Sequence, residues 1–352
     1  MSQSQQLEQI RAQLTGWFLT QLPDVDQLEL SELVMPGAGS SNETFFLTLH
    51  TVTAGHALCR ELVIRWQPKG FLVFPQDAYD MAQQYTLQHR LAATDVPVPE
   101  VLWCETDASV IGAPFYIMQR VNGWIPGDFP PYHQAGELAE LDDRDKATVW
   151  YGVVETMAKV HRVDWQALQL DFLAQPNDGE FMPAQIAAWD RVAALNSEPL
   201  APMLRQTRQW LLDNRFKPRH LSLCWGDARL GNTIYQDKRV VAALDWELAC
   251  IGDPESDLAW FAHTDWASSA GRSSGAIERL AGLPSIEQTV AYYESLMARK
   301  VENFLYYDVF ATYRLALVYT RVEQDQRYLQ RTGGKKGLLT ANHFAKLDQL
   351  IN

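Results

Sequence analysis

Three polar residues have a spacing that suits chemistry: Asp227, Asn232 five positions later, and Asp245 thirteen positions further on. One carboxylate can accept or orient the proton of a substrate hydroxyl group. A carboxamide oxygen and a second carboxylate are oxygen ligands of the kind that Mg²⁺ prefers. The reaction that needs this combination is the transfer of a phosphoryl group from a nucleotide to a hydroxyl group.

The segments around these residues indicate how they are positioned. Asp227 to Asn232 forms a loop between two apolar runs, and the sequence VVAAL at residues 240–244 predicts a short strand. Asp245 follows directly at the end of that strand. The loop and the strand end can therefore face one cleft.

A longer pattern surrounds the three residues. It is W-G-D-x-x-x-G-N, then L-D-W-E, then G-D-P-x-x-D-L-A, within residues 224–260. This pattern resembles the aminoglycoside phosphotransferase family, a small-molecule branch of the protein-kinase-like fold, and the resemblance continues more weakly back to about residue 30. Within the family it is most similar to the branch related to the kinase-like domains attached to some acyl-CoA dehydrogenases. The G-D-P-x-x-D-L-A segment resembles the one that supports the catalytic loop in this family, which implies that Asp257 bonds to backbone amides.

The resemblance implies a role for each polar residue of the loop. Asp227 would be the catalytic carboxylate, and Asn232 and Asp245 would bind Mg²⁺. Arg229 takes the place of a lysine in many protein kinases and would neutralise charge on the transferring phosphoryl group. The family usually has histidine two residues before the aspartate. Here Trp225 stands there, and we predict that it packs and positions the loop.

The resemblance also implies how the first half of the chain would bind ATP. Arg65, in the sequence LVIR, takes the place of the lysine that contacts the α- and β-phosphates, although it also suits an exposed position at a strand edge. Its usual glutamate partner is replaced by Gln84, and Asp80 one turn earlier is the alternative partner. The backbone near Gln119 and Val121 would bind adenine.

A turn-rich segment, PGAGSSNETF, is the candidate loop over the phosphates. Gly37 and Gly39 permit close backbone approach, and Ser40, Ser41 and Asn42 add hydrogen-bond donors. The same residues suit an ordinary hairpin turn. The segment is neither a dinucleotide-binding fingerprint nor a Walker A loop, because the third glycine and the G-K-[ST] sequence are missing.

Hydrophobic periodicity predicts the helices and strands, and the resemblance implies that they form a two-lobed α+β, protein-kinase-like architecture. The N-lobe, residues 1–118, would hold a leading helix at 3–22, a small mainly antiparallel sheet, and one helix inserted within 76–93. Strand patterns occur at residues 28–35, 44–52, 61–66, 98–105 and 114–121. A hinge at 119–123 would lead to a larger C-lobe, 124–352, with helical patterns at 144–161, 183–194, 199–214, 286–332 and 338–351.

Composition excludes several classes of function. The 352 residues are 47% hydrophobic, which suits a folded chain with a sizeable core. The formal charge of −13 argues against nucleic acid or an anionic membrane as partner. Four scattered cysteines without a C-x-x-C pair argue against a disulfide framework or a zinc site. The start lacks a secretory pattern and no apolar run has membrane-spanning length, so we expect a cytoplasmic protein.

The acceptor is a small molecule with a hydroxyl group, and the sequence leaves its class open. The resemblance to the branch with acyl-CoA-dehydrogenase-associated domains implies a hydroxyacyl or acyl-CoA-like metabolite. The helical segment after residue 286 would recognise it, and Arg314 or Arg321 there would contact an anion. An aminoglycoside would need an acidic pocket, and a choline-type substrate an aromatic cage. A further alternative is a catalytically weak, pseudokinase-like nucleotide-binding module, which the departures at Trp225, Arg65 and Gln84 favour.

Overall fold

The computed structural model describes residues 3–36, 43–174 and 181–352. The predicted phosphate-covering loop (Gly37, Gly39, Ser40, Ser41 and Asn42) lies outside the described residues. The chain divides into two compact units. The first comprises residues 1–72, 79–93 and 98–122, and the second comprises residues 73–78, 94–97 and 123–352.

The described part of the first unit contains a leading helix, a five-stranded sheet and one inserted helix. In chain order the elements are α1 (Gln3–Gln21), β1 (Gln27–Leu30), β2 (Glu43–Thr53), β3 (His56–Trp66), α2 (Met81–Leu91), β4 (Val101–Glu105) and β5 (Phe115–Gln119). The strands lie in the order β1-β2-β3-β5-β4, and all neighbours are antiparallel. The predicted antiparallel sheet with a helix inserted after the third strand is confirmed.

Two strand boundaries differ from the predicted ones. The predicted strand at residues 28–35 ends at Leu30 as β1, and only an isolated bridge between Val34 and Phe46 continues the pairing. The strand predicted from residue 61 begins at His56, because β3 pairs with β2 along the whole hairpin. Its first residues are mostly exposed and carry no alternation of apolar side chains. Pairing with a neighbouring strand sets these boundaries, and the sequence pattern does not show it.

The core of the first unit lies between α1 and one face of the sheet. Leu14 and Phe18 of α1 are fully buried, and Trp17 packs edge-to-face on Phe115 of β5, with ring centroids 5.0 Å apart. These residues form the predicted apolar stripe of the leading helix, which is confirmed. Each such side chain contributes about 1.5–3 kcal/mol when fully buried, so the stripe fixes α1 on the sheet.

The second unit is mostly helical, as predicted. Its elements in the described ranges are α3 (Glu137–Glu140), α4 (Asp143–His161), α5 (Phe181–Ala193), α6 (Pro202–Asp213), β6 (Ser222–Cys224), β7 (Thr233–Gln236), β8 (Arg239–Ala243), β9 (Cys250–Gly252), α7 (Glu255–Ser268), α8 (Ile286–Met297), α9 (Phe304–Val322), α10 (Gln326–Thr332) and α11 (Ala341–Ile351). None of the described helices combines the length and the apolar character needed to cross a bilayer.

Two short antiparallel ribbons carry the predicted catalytic residues. β6 pairs with β9 and leads into the loop that contains Asp227, while β7 pairs with β8. β8 is the strand predicted at residues 240–244, shifted by one residue, and it ends two residues before Asp245. The N–H of Leu244 donates to the carbonyl of Asn232 at 2.8 Å. This bond holds the two segments that bear Asn232 and Asp245 side by side.

Candidate active site

Asp227 lies in the loop after β6 with its side chain 16% exposed. Its Oδ2 accepts from Asn232 Nδ2 at 2.7 Å and from Arg229 Nε at 3.1 Å. Its Oδ1 accepts from Trp260 Nε1 at 2.7 Å. Three donors from three side chains therefore fix the plane of the carboxylate. A carboxylate held in this way is a fixed acceptor for the proton of a hydroxyl group.

Asn232 and Asp245 are the predicted ligands of Mg²⁺. Asn232 is buried at the end of a short 3-10 turn, and its Nδ2 donates to both the carbonyl and the Oδ2 of Asp227 at 3.0 and 2.7 Å. Its amide nitrogen is thus engaged, which leaves the carboxamide oxygen for another partner. Asp245 is half-buried and has a φ of 61°, a left-handed conformation that aspartate adopts more readily than most residues.

Arg229 connects two carboxylates. Its Nε donates to Asp227, and its Nη1 donates to Asp128 at 2.5 Å. Burial lowers the pKa of Arg229, but the negative charges of Asp227 and Asp128 outweigh it and hold the pKa above the usual value. The guanidinium therefore stays charged beside the predicted catalytic carboxylate.

The backbone of the loop is held by Asp257 at the start of α7. Asp257 is fully buried, and its two oxygens accept from the N–H groups of Trp225 at 2.6 Å and Gly226 at 2.9 Å. The predicted bonds from Asp257 to backbone amides are confirmed. Gly226 has a φ of 86°, and a Cβ there would lie 2.0 Å from the carbonyl oxygen of Leu248. Only glycine combines this conformation with this close approach.

A buried network continues from Asp257. His161 at the end of α4 places Nε2 3.1 Å from Asp257 Oδ2 and Nδ1 2.8 Å from the hydroxyl of Tyr293. In the described part of the chain, ligand atoms of His161, Cys224 and Asp257 lie within 4.8 Å of one another. Both nitrogens of His161 and both oxygens of Asp257 are already hydrogen bonded. We therefore interpret the group as a support of the loop rather than as a metal centre.

Trp225 joins the catalytic loop to the segment that carries Asp245. The indole is fully buried, donates from Nε1 to the carbonyl of Leu244 at 2.8 Å, and stacks on Trp246 with ring centroids 5.5 Å apart. A large ring with one polar atom can pack and orient in this way. The predicted packing and positioning role of Trp225 is confirmed.

Arg314 of α9 also supports the loop. It is 5% exposed, and its Nη2 donates to the carbonyl of Gly226 at 2.8 Å. Its guanidinium lies over the rings of Trp260 and Trp189, 4.4 and 4.7 Å from their centroids. Burial lowers its pKa. This buried position does not fit the predicted contact of Arg314 with an anionic acceptor. Arg321 donates to the carbonyl of Leu195 at 2.8 Å.

Arg65 and its two predicted partners lie in the first unit. Arg65 is 8% exposed on β3, so the alternative of an exposed strand-edge arginine is wrong. Gln84 is 3% exposed, and its side-chain amide has no hydrogen-bond partner within the described ranges. Asp80 precedes α2 as its N-cap and accepts from the N–H of Gln83 at 3.0 Å. It therefore has a structural role that the sequence pattern did not indicate.

Gln119 and Val121 were predicted to offer backbone groups to adenine. Gln119 ends β5, its N–H donates to the carbonyl of Glu100, and its side chain donates to the carbonyl of Glu61, both at 2.8 Å. Val121 lies two residues later and is half-buried. Their contact with a nucleotide stays a prediction.

Two residues at this site, Trp260 and Asp128, are not predicted by the sequence pattern. Trp260 contacts Asp227 from 33 positions away, and Asp128 contacts Arg229 from 101 positions away. The aspartate in GWIPGDFPP, a polar residue among turn formers, was the available signal for Asp128.

Comparison with known proteins gives matches in sequence to a family model and to curated relatives. A family model described as the phosphotransferase enzyme family matches residues 33–289. Acyl-CoA dehydrogenase family member 10 of Mus musculus is 28% identical over 326 residues, which cover 90% of this chain and 28% of the relative. The chain thus spans less than a third of the length of that relative.

Solved structures match over nearly the whole chain. A candidate aminoglycoside phosphotransferase from Ralstonia eutropha has a TM-score of 0.69 at 23% identity, covering 96% of this chain and 98% of its own. A thermostable mutant of the aminoglycoside phosphotransferase APH(4)-Ia, in a ternary complex with ADP and hygromycin B, has a TM-score of 0.51 at 17% identity, with 96% and 97% covered. The predicted α+β, protein-kinase-like fold is confirmed.

Proposed function

The chain belongs to the phosphotransferase enzyme family, and we propose that it transfers the γ-phosphoryl group of ATP to a hydroxyl group of a small molecule, with Mg²⁺ as the metal. The observation that carries the proposal is the fixed carboxylate of Asp227. It lies beside Asn232 and next to the segment that bears Asp245. A protein that used the fold only for binding would have no chemical need for all three residues.

Asp227 receives the proton of the acceptor hydroxyl as that oxygen attacks the phosphorus atom. Asn232 keeps the carboxylate in place through its amide nitrogen. Arg229 is held by Asp227 and Asp128 and supplies positive charge where negative charge develops on the transferring group. These three roles use side chains of one loop, so their relative positions vary little.

The donor set of Asn232 and Asp245 fits Mg²⁺, because both offer hard oxygen atoms and the amide nitrogen of Asn232 is already engaged. These two residues would hold the ion. Bound there, Mg²⁺ neutralises phosphate charge. Arg65, Gln119, Val121 and the loop at residues 37–42 are proposed to bind the nucleotide, which the ADP complex of APH(4)-Ia supports by analogy of fold.

For the acceptor we propose a hydroxyacyl or acyl-CoA-like metabolite. The support is the likeness to a protein named for acyl-CoA dehydrogenation, of which this chain matches only a part. Since Arg314 is buried in an aromatic cage, Arg321 is the arginine of α9 that stays a candidate for an anion. The neighbour with bound hygromycin B favours an aminoglycoside as the second candidate.

An ATP-consumption screen tests the proposal. Hydroxyacyl-CoA thioesters, aminoglycosides and choline would be offered with Mg²⁺ and ATP, and phosphorylated product would be identified by mass spectrometry. Asp227→Asn is the matched control, because it keeps the shape of the side chain. If wild type and Asp227→Asn bind nucleotide equally well and neither turns over any acceptor, the result would favour the pseudokinase-like alternative.

A further inference from the structure

We propose that Trp260 is a positioning residue of the phosphoryl transfer, acting through Asp227, and that it leaves Oδ1 of Asp227 as the atom that takes the acceptor's proton. This inference rests on the proposed function. Trp260 lies on α7 and is 4% exposed, and its Nε1 donates to Asp227 Oδ1 at 2.7 Å. An indole N–H only donates, so the direction of this bond is unambiguous.

Counting lone pairs identifies the reactive oxygen. Each oxygen of an ionised carboxylate has two acceptor directions. Oδ2 of Asp227 uses both, for Asn232 and Arg229. Among the described residues, Oδ1 receives only Trp260. One direction on Oδ1 is therefore left for a hydroxyl donor, and the indole determines which one.

The indole itself is held rigidly. The guanidinium of Arg314 lies 4.4 Å from the ring centroid of Trp260 while its Nη2 donates to the carbonyl of Gly226 at 2.8 Å. A cation over the ring face is attracted to it and polarises the indole, which strengthens the N–H as a donor. Arg314 thus orients the backbone of the loop directly and the side chain of Asp227 through Trp260.

Loss of the N–H has a consequence that a packing defect lacks. Without the indole, no donor on Oδ1 fixes the direction left for the hydroxyl group of the acceptor, so kcat falls while ATP binding is kept. The effect depends on the carboxylate. It should disappear when Asp227 is already replaced, because residues that act through one another are not additive.

The test is Trp260→Phe, which keeps a ring and removes the donor. We expect kcat to fall roughly tenfold or more and the ATP KM to stay within a few fold. In an Asp227→Asn background the same substitution should change kcat little. Benzothienylalanine at position 260, a closer isostere without the N–H, replaces phenylalanine if Trp260→Phe does not fold.

Trp150→Phe is the matched control. Trp150 is fully buried, donates from Nε1 to Thr289 at 2.9 Å and lies under Arg279 at 4.9 Å, but it does not contact the catalytic loop. We expect a comparable loss of stability with kcat within a few fold of the wild-type value. Losses of kcat of equal size in both variants would overturn the inference.

A second readout does not need activity. The indole ¹H–¹⁵N resonance of Trp260 is identified by its absence from the spectrum of the position-260 variant. Its chemical shift should change in Asp227→Asn, whereas the chemical shift of the Trp150 indole should not. An unmoved resonance or additive losses of kcat in the double variant would each overturn the inference alone. If the wild type transfers no phosphoryl group to any acceptor, the proposed function fails and this role fails with it.

Discussion

Replacing Gly226 by alanine should weaken the hydrogen bonds with Asp257 and Arg314 that hold the catalytic loop. At a φ of 86°, the new Cβ would lie 2.0 Å from the carbonyl oxygen of Leu248 and 2.4 Å from the carbonyl carbon. The backbone would have to move by about 1.4 Å for this distance to reach the 3.4 Å of an ordinary contact. That movement would stretch the bond from the Gly226 N–H to Asp257, now 2.9 Å, and the bond from Arg314 to the Gly226 carbonyl, now 2.8 Å.

The size of the effect follows from these contacts. A left-handed conformation costs an alanine about 1–2 kcal/mol. Each buried hydrogen-bonding group that loses its partner costs about 1–3 kcal/mol. The free energy of unfolding should therefore fall by roughly 3–8 kcal/mol if both bonds break. The kcat should fall as well, because Asp227 is the next residue.

Urea unfolding monitored by tryptophan fluorescence measures the loss, and Gly333→Ala is the control. Gly333 lies in the same unit with a φ of 63°, and a Cβ there meets nothing within 4 Å. Its replacement should cost only the conformational part, about 1–2 kcal/mol, and leave kcat unchanged. Equal losses in the two variants would refute the claim that the approach of Leu248 requires glycine at position 226.

Three further predictions concern two carboxylates and two buried histidines. Asp227→Asn should lower kcat by roughly 10²–10⁴ while ATP affinity stays within a few fold; a kcat near that of the wild type would remove Asp227 from the chemistry. Asp245→Ala should abolish the Mg²⁺-dependent part of the thermal shift with nucleotide, and an intact shift would exclude Asp245 as a ligand. Burial lowers the pKa of His263 well below 6.5 and that of His343 to about 4. The unfolded chain takes up these protons near pH 6.5 and the folded chain does not, so stability should be complete above pH 6.5 and fall as the pH drops toward 4. His343→Leu should flatten that decline in urea titrations across this range, and an unchanged slope would contradict the assignment.

Most helices and strands were readable from periodicity because each buries one face. The helix α7 (Glu255–Ser268) was not predicted, because it is buried on several sides and shows no single apolar stripe. The stripe of α1 packs on the sheet as predicted, and α4 runs from Asp143 to His161, one residue longer than its pattern. Boundaries that depend on pairing were not readable. The exposed start of β3 at His56 is a strand only because β2 lies beside it. The lobe limits and the hinge at residues 119–123 stay predictions.

In the candidate site, too, some features were readable from the sequence and others were not. Asp227 and Asn232 were identified because five residues of loop bring them together, so type and spacing are sufficient. Asp257 was identified as a backbone ligand from its place in the supporting segment. Arg314 was assigned to the acceptor because an arginine on a late helix appears available in sequence. The structure instead buries it against Trp260, with its Nη2 on the carbonyl of Gly226.

The sequence by itself indicated the chemistry that we propose for this chain, because a carboxylate, a carboxamide and a second carboxylate at fixed spacing are local features. The tertiary structure alone decided how the carboxylate of Asp227 is oriented and which of its oxygens is left for a substrate. That orientation comes from Trp260 on α7, which Arg314 on α9 holds in place. The physical reason is that hydrogen bonds and ring contacts depend on distances of a few ångströms in space, and separation along the chain does not encode these distances.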